Sequence, residues 1–285
     1  MTRLNEESTE AEIIHRPPVI TGVDFPKIEE KMLHYNTTEY GSPTPIMVDG
    51  ARALINPASG SLYSIVSDKY KTIEYKTTLE MVEDAIQGNP EFGKYERSVE
   101  FLNDGGRMLT KYRFTDHAIP IGDRKDLVNP EIYVRRSYDT SWGFQLLFGA
   151  FRFICSNGLV IGEKILDYNH KHTIGLHQED LMKSLSGAMD RFAIQADLWN
   201  AWLDRVTTPD DYERVMGTME FGKKHTVAIE DEVEVSSDIT MDDVRTKSLS
   251  YWLFFNVISQ YVTHKVTSRM RQEFFFDKMR TAFRK

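Results

Sequence analysis

The order of two hydrophobic patterns predicts an α+β fold, with an antiparallel sheet in the N-terminal half covered by helices from the C-terminal half. Between residues 62 and 154 apolar residues alternate with polar ones or form short apolar blocks, as strands do. After about residue 176 they recur every three or four positions, as on amphipathic helices.

Leu62–Ser67 predicts a strand from its β-branched and aromatic residues. Thr78 offers an N-cap to a helix carrying Leu79, Met81, Val82, Ala85 and Ile86, which Gly88-Asn89-Pro90 ends. In Arg107–Phe114, Met108, Thr110, Tyr112 and Phe114 fall on one face. Arg107, Leu109, Lys111 and Arg113 fall on the other, predicting a half-buried strand with a basic outer face. Glu131–Tyr138 and the apolar run Phe144–Ile154 continue the sheet, and Ser156-Asn157-Gly158 follows as a tight turn. Leu181, Leu185, Ala188, Phe192, Ala196, Trp199, Leu203 and Val206 make a helical stripe. Thr208-Pro209 supplies a cap and first-turn proline for another helix. A long final helix is expected from near Met241, with Tyr251, Phe255, Ile258, Val262, Val266 and Met270 as its stripe. Residues 1–45 mix Pro, Thr and charges without periodicity and are expected to form a loosely ordered arm. An α+β core domain is expected over 46–228, and an acidic loop with an amphipathic basic helix over 229–285.

Bulk properties narrow the class. A chain of 285 residues with 41% hydrophobic and 12% aromatic content can bury a substantial core. Its single cysteine, Cys155, allows no internal disulfide and points to a reducing compartment, here the cytoplasm. The N-terminus lacks the apolar core of a secretory signal. The most apolar stretch, Tyr251–Ile258, is too short to span a bilayer, which takes about 20 residues. Net charge is −8 and uneven. Glu230, Asp231, Glu232, Glu234, Asp238, Asp242 and Asp243 form an acidic block without a base. The tail beyond it carries Lys265, Arg269, Arg271, Lys278, Arg280, Arg284 and Lys285 against Glu273 and Asp277.

No phosphate-binding GxxxxGK[ST] loop, GxGxxG, GxSxG elbow or HExxH pair is present, so no catalytic motif is recognised and no cofactor or metal is expected. Cys155 ends an apolar strand and fits a buried, inert thiol better than a nucleophile. His170, His172 and His177 lack nearby cysteine or clustered carboxylate and fit a solvated loop better than a metal site. Asp139, in Ser137-Tyr138-Asp139-Thr140-Ser141, fits a turn cap between two strands.

The basic strand faces are more informative. Lys111 and Arg113 on one strand, Arg135 and Arg136 on the next and Arg152 on a third are interleaved with Tyr112, Tyr133 and Tyr138. Single-stranded nucleic acid is held by such combinations, in which bases stack on rings while cations track phosphates. Lys111, Arg113, Tyr133, Arg135, Arg136 and Arg152, with Lys265, Arg269 and Arg271 of the basic helix, form the candidate nucleic-acid-binding set. The six phenylalanines from Phe254 to Phe283 exceed what one packing seam needs, and a homo-oligomer is expected.

Two segments carry a resemblance. One is Ser64-Ile65-Val66-Ser67-Asp68-Lys69-Tyr70-Lys71 with its following helix. The other runs from Tyr133 through Ser137-Tyr138-Asp139-Thr140-Ser141 to Phe151-Arg152-Phe153-Ile154-Cys155-Ser156-Asn157-Gly158-Leu159. Over roughly residues 60 to 206 the chain resembles a phage- and plasmid-borne family known as domain of unknown function 932. In that family a serine–x–aspartate–x–serine turn precedes a strand ending in arginine–x–x–cysteine–x–asparagine. Thr140 stands where the family often has glycine, a departure that bears on the turn's geometry. The resemblance implies a mobile-element protein made in a bacterial cell and supplies no activity. The strands-then-helices layout is also similar, by analogy only, to phage single-strand annealing proteins, which form rings. The expected function is non-catalytic binding or annealing of single-stranded DNA by a homo-oligomer. The alternative is a protein-interaction module, a host-takeover or counter-defence factor, that engages a host protein through its acidic surface.

Overall fold

The computed structural model describes residues 22–37, 43–122, 126–152, 166–170, 177–229 and 249–283. Its strands are β1 (Glu29–Thr37), β2 (Thr44–Ile55), β3 (Leu62–Ser67), β4 (Glu96–Leu102), β5 (Arg107–Arg113), β6 (Ile119–Ile121), β7 (Asp126–Ser137), β8 (Phe144–Arg152) and β9 (Leu166–His170). Helix α1 (Tyr75–Gln87) separates β3 from β4. The helices α2 (Gln178–Leu185), α3 (Ala188–Asp204), α4 (Pro209–Met219), α5 (Tyr251–His264) and α6 (Arg269–Ala282) follow the strands. The fold is α+β, as the order of patterns predicts.

Two antiparallel sheets form. The smaller runs β1-β2-β3, and the larger runs β4-β5-β7-β8-β9 with β6 beside β7. Strand alternation sorts the larger sheet into two faces. Met108, Tyr112, Phe114, Ile132, Val134, Phe144, Leu146 and Phe148 point into the main core. Against them pack Tyr75, Leu79, Val82, Ala85 and Ile86 of α1, Leu181 and Leu185 of α2, and Phe192, Ala196 and Trp199 of α3. Tyr75 stacks on Tyr138 with ring centroids 3.9 Å apart, and its backbone N–H donates to the Tyr138 hydroxyl at 3.0 Å. Glu83 of α1 is buried beneath the sheet, where Arg97 pairs with it and the Tyr112 hydroxyl donates to it at 3.3 Å.

Several sequence expectations shift by about a turn. α1 starts at Tyr75 rather than after Thr78, whose hydroxyl instead donates to the Glu74 carbonyl inside the helix. The stripe from Leu181 to Val206 is two helices, divided where Gly187 takes φ +66°. The long final helix is also two helices. The chain turns between His264 and Arg269, and Gln272 Nε2 closes the turn by donating to the carbonyls of Thr263 (2.9 Å) and Val266 (2.8 Å). The region read as an arm contains β1 and the start of β2, a hairpin joined to the smaller sheet. Residues 249–283, set apart in the sequence, contribute Tyr251, Phe255, Ile258, Phe276 and Met279 to the same core as the sheet. Thr208 and Asp211 form a reciprocal capping box on α4, as Thr208-Pro209 predicts.

The β7–β8 turn exposes a strained residue. Asp139 Oδ1 accepts from the Ser141 N–H at 3.0 Å, which gives Asp139 the turn-capping role expected of it. Between them Thr140 is exposed and held at φ +60°, a conformation glycine adopts freely and a β-branched residue does not. Thr140→Gly is therefore expected to stabilise the protein by about 1 kcal/mol, raising the thermal midpoint by roughly 2–4 °C in differential scanning calorimetry.

Candidate functional site

Register arranges the second face of the larger sheet into rows. Glu96, Arg113 and Glu131 form one row and Ser98, Lys111 and Tyr133 the next. Glu100, Leu109, Arg135 and Gln145 form a third. The sequence predicts this face as basic and solvated, and the structure corrects that. Helix α6 reaches across it. Tyr133, only 1% exposed, donates its hydroxyl to Glu273 Oε1 at 2.6 Å. The Arg135 guanidinium, on a residue 3% exposed, pairs with the Glu273 carboxylate and with Asp277 at 3.2 Å. It also lies over the rings of Tyr133 (5.2 Å) and Trp142 (5.8 Å). Leu109, Tyr133 and Leu147 close a small apolar cluster with Leu102 and Trp142. Alternation tells which residues share a face. It does not tell that a helix some 140 residues later will cover that face.

Arg136 points the other way, into the main core. It is 3% exposed, and its Nε has no hydrogen-bond partner. The groups acting on its charge are Tyr70, Tyr138 and Tyr75, which oppose the lowering of its pKa by burial. Tyr70 in turn is pushed up to about 12, chiefly by burial, with Arg136 opposing. Among the described residues Arg136 is thus a buried cation near three tyrosines rather than one paired to a carboxylate.

The open end of the second face holds Lys111 and Arg113. A cavity of about 130 Å³ there is lined by Glu96, Arg97, Ser98, Lys111, Arg113 and Glu131. Glu131 is buried, and Arg113 Nε donates to its Oε1 at 3.0 Å. Burial raises the pKa of Glu131, while Lys111 and Arg113 oppose the rise. Arg113 also faces Glu96 at 3.8 Å. Charges of both signs alternate here, so this end is not a cationic groove. The side chains of Arg152 and Arg269 lie outside the described residues, as do Cys155, His172 and the acidic run 230–243. Asp139 pairs with Arg107 as well as capping its turn, and lies in no acid–base pair with histidine among the described residues. No group of three His, Cys, Asp or Glu side chains suited to a metal occurs among the described residues.

Two members of the predicted set, Lys265 and Arg271, come together elsewhere, at the corner between α5 and α6. Both are exposed. Arg271, Phe274 and Lys278 lie on one stripe of α6 at positions i, i+3 and i+7. Phe274 is 48% exposed, and Lys278 Nζ sits 5.5 Å from its ring centroid. The exposed Lys223 and Lys224 begin a helical stretch beside this corner. That placement is fixed by Phe221 and His225, whose rings pack on Phe275 at 4.8 and 5.6 Å. Lys278 pairs with Glu220 at 2.6 Å. Sequence reasoning counts Phe274 among the aromatics beyond one packing seam and does not single out Lys223 and Lys224, whose place is set by the contacts of Phe221 and His225 with Phe275.

A family model, domain of unknown function 932, matches residues 62–282, so the chain belongs to this family. The match extends beyond the motif-bearing segment to take in α4, α5 and α6, and the corner is therefore part of the family domain. No curated protein and no solved structure matches the chain. Among the described residues no helix is long and apolar enough to cross a membrane.

Two variants probe the buried charges. Arg136→Met keeps the side chain's volume and removes a cation that has no carboxylate partner among the described residues. It is expected to hold or raise stability, by up to about 2 kcal/mol, in urea unfolding, and a loss of 2 kcal/mol or more would contradict the burial described. Glu131 binds its proton more tightly folded than unfolded. Its contribution is therefore present at low pH and is lost as pH rises from the ordinary carboxylate range through its raised pKa. The stability difference between Glu131→Gln and the native chain should accordingly shift in favour of Gln with rising pH, when urea midpoints are followed upward from about pH 4.

Proposed function

We propose that the protein is a non-catalytic binder of single-stranded nucleic acid that contacts its ligand through the α5–α6 corner. The observation that carries the reading is Phe274. It is a half-exposed aromatic flanked on its own helix by Arg271 and Lys278, with Lys265, Lys223 and Lys224 around it. An exposed ring offers a stacking platform to any base, and surrounding cations serve the phosphates. Ile194, Leu198 and Val227 of the helical half are as open, and Phe274 is the aromatic among these exposed side chains, so it is the one that offers a face to a base. The buried Tyr133 and Arg135, paired with Glu273, hold α6 in place rather than contacting the ligand, and Arg136 lies buried on the opposite face of the sheet. The family resemblance suggests a mobile-element protein made in a bacterial cell, and the strands-then-helices layout, by analogy only, suggests single-strand annealing by a homo-oligomer.

The reading is tested by fluorescence anisotropy with a labelled oligonucleotide and protein freed of nucleic acid. Phe274→Ala is expected to weaken binding by about 1–3 kcal/mol, roughly 5- to 150-fold. Arg271→Ala should weaken it across all sequences and reduce the slope of log K against log salt by about 0.7. Absence of binding by the native chain at low salt rejects the proposal.

A further inference from the structure

One buried group on the second sheet face has no task in nucleic-acid binding. Glu131 is 1% exposed. Arg113 Nε donates to its Oε1 at 3.0 Å, and its Oε2 has no hydrogen-bond partner among the described residues. A buried carboxylate oxygen without a donor costs stability, and such atoms are rare in folded proteins. The side chain that carries it lines the cavity of about 130 Å³ at this end of the sheet. Strand register sets the other walls. Arg113 lies directly across from Glu131, and Lys111 lies two residues along β5, about 7 Å away. Glu96 and Ser98 of β4 stand opposite Arg113 and Lys111, are exposed, and form the rim. Among the described residues β4 is the end strand, so the cavity opens at the edge of the sheet. Arg97 is engaged by Glu83. The remaining charges are two carboxylates, Glu96 and Glu131, and two cations, Lys111 and Arg113, so the lining is neutral as a whole. A simple anion entering it would meet the carboxylates, and a simple cation would meet Lys111 and Arg113. A ligand bearing one charge of each sign avoids both conflicts.

We propose that this cavity binds a small zwitterion of the α-amino-acid class, its ammonium donating to Glu131 Oε2 and its carboxylate accepting from Lys111 and Arg113. A lysine ammonium has three N–H donors and a guanidinium five, so each serves a ligand carboxylate beside its protein partners. Hydrogen bonds in which both groups are charged are the strong ones, and the Glu131 end of this site is shielded from water. Size selects within the class. A cavity of about 150 Å³ holds benzene, with about six heavy atoms. Glycine, alanine and serine match the space here, and amino acids with ring side chains exceed it.

The site shares no residue with the α5–α6 corner, and its test is separate. Isothermal titration calorimetry of the dialysed whole chain with glycine, L-alanine and L-serine in turn should show one site per chain for at least one of them. Acetate and methylamine, which each carry one of the two charges, should bind roughly tenfold more weakly or less. Glu131→Gln and Lys111→Met should each weaken amino-acid binding roughly tenfold or more, with folding checked by circular dichroism. Lys111 is half-buried, so Lys111→Met decides if Glu131→Gln fails to fold. Phe274→Ala should leave amino-acid binding unchanged, and Glu131→Gln should leave oligonucleotide binding unchanged. The proposal is overturned if none of the three amino acids binds at millimolar concentration, if acetate or methylamine binds as tightly, or if the folded variants bind like the native chain.

Discussion

The buried guanidinium of Arg135 sets the terms for much of this structure. It sits on a strand covered on both faces, where a charge taken from water costs several kcal/mol unless it is answered nearby. The answer comes from Glu273 and Asp277, on the last helix, with the Tyr133 hydroxyl completing the cluster. Removing one partner from such a pair leaves an unanswered charge in the interior, typically a loss of about 3–5 kcal/mol. The clasp therefore fixes α6 on the sheet and makes the C-terminal helices part of the same cooperative unit as the strands.

That placement divides α6 into three faces with three tasks. Glu273 and Asp277 turn toward the sheet, and Phe275, Phe276 and Met279 pack among α4, α5 and the core. Arg271, Phe274 and Lys278 are left on the third side, facing solvent. The basic residues that look, in sequence, like one charged surface are thus separated. Those on β7 neutralise buried acids or lie in the core, and Lys265 and Arg271 at the helix corner are exposed. The same division explains why a chain of net charge −8 can still present a local cationic surface.

Much of the fold was legible because local rules suffice for it. Period-two alternation located β5, and the turn chemistry of Asp139 and the capping box at Thr208 were visible as residue patterns. The helix break at Ser186-Gly187 was less visible, since the apolar stripe continues across it. The turn before α6 has no glycine or proline to mark it and depends on Gln272 reaching back to two carbonyls. The β1–β2 hairpin escaped notice for a different reason. The strand ends 34–36 and 44–47 are exposed on both faces, so no burial alternation is imposed on their sequence.

By itself, the sequence determined the α+β class, the order of elements, the capping of its turns and the family to which the motifs belong. Each of these rests on interactions between residues close in the chain or on a one-dimensional pattern. Only the tertiary structure decided which charged residues face water. Tyr133 and Arg135 look the same in a strand pattern whether solvent or a helix lies above them. The covering residue, Glu273, is brought there by packing across nearly half of the chain, and no local periodicity encodes that meeting.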